Sequence, residues 1–158
     1  MKHLFVTALL GASLAVNAAE PIADQTVLVK NEDPEMAQAI ATAQRTLDEF
    51  LKIAASPPAG TSGFKLKVRL QDGPQSEHMW VAPFRVTPDG FLGILANEPS
   101  YIKNVKLGQR VSFKRAEVSD WGYVQDGKQK GSFTVCVFLK HLPKSDAQRY
   151  RTDYGFDC

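Results

Sequence analysis

This chain is poor in the residues that most chemistry needs. It has two cysteines and three histidines in 158 residues, and only His78 and His141 lie beyond its first few positions. No H-x-x-x-H or C-x-x-C spacing occurs, so a metal site would have to gather His78, Glu98 and Asp120 from separate segments, and we expect none. The G-x-S-x-G elbow of a serine hydrolase is missing. The basic tip over 127–131 lacks the G-x-x-x-x-G-K-[ST] spacing of a phosphate loop. Charge of one sign is also lacking: a formal net charge of +2 gives no basic footprint for nucleic acid, and no cofactor is implied. The apolar run over 4–16 falls short of the roughly 18 residues that a membrane-spanning helix needs.

That same run, preceded by Lys2 and followed by Val16-Asn17-Ala18, has the layout of a secretory signal with cleavage after Ala18. A periplasmic or secreted protein with no membrane span after cleavage is therefore expected, at a net charge of about +1 once Lys2 is removed. In an oxidising compartment the even cysteine count favours a Cys136–Cys158 disulfide over a reactive thiol, since nothing near Cys136 supplies a base.

One domain over 19–158 is predicted, with no repeats and no second composition zone. A weak strand signal covers 26–29. Asp33-Pro34 then reads as an N-cap with proline at the first helical position. Met36, Ile40, Ala43, Leu47, Phe50, Leu51 and Ala54 recur at three- and four-residue steps, predicting one long helix over 34–54 with a single apolar stripe. Ser56-Pro57-Pro58-Ala59-Gly60 ends it.

The rest, over 64–139, reads as about five to six short strands. Phe64, Leu66, Val68 and Leu70 alternate with Lys65, Lys67 and Arg69, so the basic row is expected to be the solvated side of that strand. In the next strand, 77–86, both sides are apolar, and Pro83 predicts an edge or bulge. Strands follow over 91–96 and 108–113, with a short helical turn over 100–104 between them. Asp126-Gly127-Lys128 is a hairpin tip that joins 121–124 to a long final strand, 132–139. A short helix is expected over 145–150. The fold class is α+β: one N-terminal helix on a twisted antiparallel sheet that is free to curl toward a partly open barrel.

The segments GFKLKVRLQDGPQSEHMWV, GILANEPSYIKNVKLGQRVSF and VSDWGYVQDGKQKGSFTVCVFL, in that order, resemble the bacterial YegJ-like domain family, catalogued as a domain of unknown function. The resemblance runs over about 36–139 and leaves 140–158 as an extension. It implies no catalytic assignment.

Two polar constellations remain. Glu77 and His78 are adjacent, so on a strand they face opposite ways, and an acid–base pair would need His78 to meet Glu98 or Asp120. Asn97-Glu98-Pro99 and Ser119-Asp120-Trp121 read first as turn chemistry. With Trp121 and Tyr123 exposed beside them, Asn97, Glu98 and Asp120 would form a binding patch. Three functions follow, in order of expectation. The first is a binding module for a protein or an envelope glycan. The second is an envelope hydrolase using His78 with Glu77, Glu98 or Asp120. The third is a purely structural role for these residues. An enzyme is the less expected outcome.

Overall fold

The computed structural model describes residues 33–158, so the signal segment and the strand expected over 26–29 lie outside the described residues. Asp33 caps the first helix, its Oδ1 accepting from the backbone of Glu35 at 2.8 Å and Met36 at 3.2 Å. The apolar stripe does turn inward, through Ala43, Leu47 and Phe50. The single long helix does not form. There are two short ones, α1 (Pro34–Arg45) and α2 (Leu47–Ala55), which meet at Thr46. The Trp121 indole N–H donates to the Ala43 carbonyl at 3.1 Å and to Thr46 Oγ1 at 3.2 Å. A side chain inserted into the carbonyl ladder is a recognised cause of such a break.

Six strands follow: β1 (Thr61–Asp72), β2 (Gln75–Thr87), β3 (Gly90–Leu95), β4 (Arg110–Phe113), β5 (Val118–Gln125) and β6 (Lys128–Gly131). All pair antiparallel, in the order β4-β3-β2-β1-β5-β6. Hairpins lay β2, β3 and β4 outward from β1. The chain then returns through a 3-10 turn, Arg115–Glu117, to place β5 on the free side of β1. The sheet is open, ending on β4 and β6, and not a closed barrel. The bulge expected at Pro83 is present, as a register shift between Val81 and Phe84.

Two expected elements differ. Residues 100–104 form no helix; their backbone is held in a loop by a carboxylate described below. The long strand expected over 132–139 is instead helix α3 (Phe133–Lys140), followed by α4 (Lys144–Tyr154). Strand β6 stops at Gly131 and Ser132, both left-handed, which turns the chain out of the sheet. At Gly131 a side chain would collide with Trp121, since a Cβ would lie 2.3 Å from its ring. Cys136 on α3 is disulfide-bonded to Cys158, with Cα atoms 5.6 Å apart. This ties the tail to a small second cluster of Leu139, Ala147 and Phe156.

Candidate functional site

Side chains alternate across a strand, and directly paired residues share a face, so the register sorts the sheet into two surfaces. One carries Leu66, Val68, Met79, Val81, Phe91, Leu95, Trp121 and Tyr123, and α1 and α2 cover it with Ala43, Leu47 and Phe50. Phe50 stacks on Trp121 with ring centroids 4.9 Å apart. Helix α3 joins the same side, with Phe133 edge-on to Trp121 at 5.3 Å.

The opposite face is built around Lys67, which pairs with Trp80 of β2 and Asp120 of β5. Arg69 pairs with His78, Lys65 with Gly122, Arg85 with Leu92, and Ile94 with Arg110. Helices α1 and α2 and the Val105 loop pack on the first face, while the start of α3 closes over Asp120 at the β5 end of this one; the ring contacts of Trp80 are with Lys65 and Lys67 of β1. The basic row of β1 is less wet than its alternation predicts. Lys65 and Lys67 are half-buried, their ammonium groups 4.8 Å and 5.3 Å from the Trp80 ring centroid. Burial holds the Lys65 amine below its ordinary range, with Lys67 adding to the effect and Asp120 opposing it.

The residues expected to carry function are therefore divided. Trp121 and Tyr123 are core residues, 8% and 6% exposed, so the patch expected around them is not a surface. Asp120 is fully buried and serves α3. Its oxygens accept from the backbone of Trp121 (2.8 Å), Phe133 (3.2 Å) and Thr134 (2.8 Å), and from the Thr134 hydroxyl (2.7 Å). It caps the helix from a neighbouring strand, where the dipole favours a carboxylate. Burial pushes its pKa up, against the Thr134 hydrogen bonds and the Lys67 charge.

Glu77, on the core side, accepts the backbone N–H groups of Ser100, Tyr101 and Ile102. Asn97 Oδ1 accepts from Trp80 N at 2.8 Å and extends the β2–β3 pairing. Glu98 is exposed in that loop. Asn97 and Asp120 are kept apart by β2 and β1, so these polar residues do not converge.

His78 does not meet a carboxylate. Its Nδ1 lies 2.8 Å from Ser119 Oγ, and Ser119 is 3% exposed, its hydroxyl also 3.3 Å from the Lys67 carbonyl. Burial first, then Lys67 and Arg69, pull the imidazole pKa down to about 4, so it is neutral near pH 7. A neutral imidazole beside a hydroxyl has the elements of a nucleophile and base, but the hydroxyl is sealed inside the sheet. The acid–base pair of the hydrolase reading is not assembled. Among the described residues no group of His, Cys, Asp and Glu could hold a metal ion, and no helix is long and apolar enough to cross a membrane.

The residue that sequence reasoning passed over is Trp80. A hairpin centred on Gly73-Pro74 sets Trp80 opposite Lys67 and His78 opposite Arg69, so its place among the cations could have been read from the turn.

Comparison with known proteins agrees with the resemblance and extends it. The chain is 28% identical over 130 residues to "Uncharacterized protein YegJ" of Escherichia coli (strain K12), covering 82% of this chain and 84% of that one. It is 29% identical over 87 residues to a protein of Neisseria meningitidis serogroup B whose name describes it as an ankyrin repeat protein. That match covers 55% of this chain and 34% of the longer protein. No solved structure matches. The family match takes in 33–158, so Lys140–Cys158 and both cysteines fall inside it. The chain belongs to the family described as "Uncharacterized protein conserved in bacteria (DUF2314)".

Proposed function

We propose that the protein is an exported binding module whose contact surface is the second face of the sheet, centred on Trp80. One observation carries this reading: a half-buried tryptophan set between two lysines on the face opposite the α1–α2 layer. Interiors and interfaces both bury aromatic rings, and a ring left at an uncovered face is an anchor for something else. The apolar run after Lys2 and the Cys136–Cys158 pair are both compatible with export.

A photo-crosslinking side chain placed at Arg69, on the proposed face, should give a discrete adduct in living cells. The same group at Lys52, on the exposed side of α2, should give none. Equal labelling from both positions, or none from Arg69, would overturn the reading. The mass of the recovered protein tests export: a chain beginning at Ala19 and two hydrogens lighter than its reduced form is expected.

A further inference from the structure

We infer that the partner of this face is a protein presenting an acidic surface. This rests on the binding-module reading and adds the chemistry of the partner. The register places Lys65, Lys67 and Arg69 of β1, Arg85 of β2 and Arg110 of β4 on one side of the sheet. Asp120 is the one carboxylate that the paired strands put there, and both its oxygens are taken by the start of α3. A near-neutral chain has thus sorted a cationic surplus onto the face opposite α1 and α2. Charge complementarity calls for a negative partner.

The layout decides which kind. Arg69, Arg85 and Arg110 are exposed, while Lys65, Lys67, His78, Trp80, Leu92 and Ile94 between them are half-buried. Trp80, Leu92 and Ile94 set aromatic and apolar area among the cations, and Trp and Arg are the usual anchors of a protein–protein interface. From β1 to β4 is three strand steps, about 14 Å, and alternate residues along a strand are about 7 Å apart. Cations spread over that area are too dispersed for one phosphate or one carboxylate, but they match several carboxylates fixed on a surface, each open to a bidentate arginine. A lipid surface is favoured by apolar side chains that protrude into it. Here Trp80, Leu92 and Ile94 are half-buried.

The two tryptophans make the test direct, since Trp80 is on the open face and Trp121 in the core. The disulfide-bonded protein, labelled at its indole nitrogens, is titrated with poly-L-glutamate and followed by NMR. Vesicles containing phosphatidylglycerol and a sulfated glycan are run at equal charge concentration. Poly-L-glutamate should shift the Trp80 indole signal and leave Trp121 in place. The triple variant Arg69→Glu, Arg85→Glu, Arg110→Glu should bind it at least about 100-fold more weakly. A stronger Trp80 response to the vesicles or the glycan would overturn the protein-partner inference and leave the binding reading standing. No response to any probe would also overturn the inference, and crosslinking at Arg69 then decides the binding reading separately.

Discussion

The two faces of the sheet carry one tryptophan each and use it in opposite ways. Trp121 is enclosed by Phe50, Phe133 and Tyr123, and its indole N–H ends in the α1 carbonyl ladder. Trp80 lies half-buried on the opposite face between two ammonium groups. A similar ring fixes the fold on one side and is left for a partner on the other. The difference comes from what the chain packs against each face and not from the residue.

Substitution should expose that contrast. Trp121→Ala should cost about 3–5 kcal/mol, as large-to-small changes at buried aromatics do, and denaturant unfolding would read it. Asp120→Ala leaves the Phe133 and Thr134 N–H groups buried and unpaired, at about 3 kcal/mol. Hydrogen exchange should then rise in α3 more than in β1. Replacing both cysteines with serine opens a closure of 22 residues and should cost about 3 kcal/mol, mainly loosening the cluster of α3, α4 and the tail.

The open face should show itself through pH. The folded pKa of His78 lies at about 4, below the ordinary 6.5, so the unfolded chain binds the proton first as pH falls. Stability from this group is complete above about pH 6.5 and declines toward pH 4, by about 3 kcal/mol there. Asp120 acts in the opposite sense: its raised folded pKa makes stability fall as pH rises through the carboxylate range. Unfolding midpoints of wild type and His78→Asn, compared at pH 7 and pH 4, isolate the imidazole, and the variant should lose less on acidification. The smallest effect is expected for Trp80→Ala. At about 1 kcal/mol or less, it gives up two cation–π contacts and little core.

Much of the frame was legible because its signals are local. Asp33-Pro34 marked the helix start, alternation marked β1, Asp126-Gly127 marked the hairpin, and Pro83 marked the bulge. The features that escaped are set by distant residues. The break at Thr46 depends on Trp121, 75 residues along the chain. Residues 133–140 are β-branched and aromatic enough to read as a strand, and Asp120 makes them the start of a helix from across a turn. In Asp120-Trp121, alternation says that the two side chains part ways but not that both end buried, Trp121 in the core and Asp120 under the start of α3, so the expected patch was centred on the wrong tryptophan.

Collisional quenching of single-tryptophan variants addresses the contrast between the faces most directly. In Trp121→Phe, whose fluorescence comes from Trp80, iodide should quench well and caesium poorly, because the lysines beside the ring attract the anion and repel the cation. In Trp80→Phe, neither ion should reach Trp121. Equal quenching of Trp80 by both ions, or a Trp80 as protected as Trp121, would contradict an open, cationic second face.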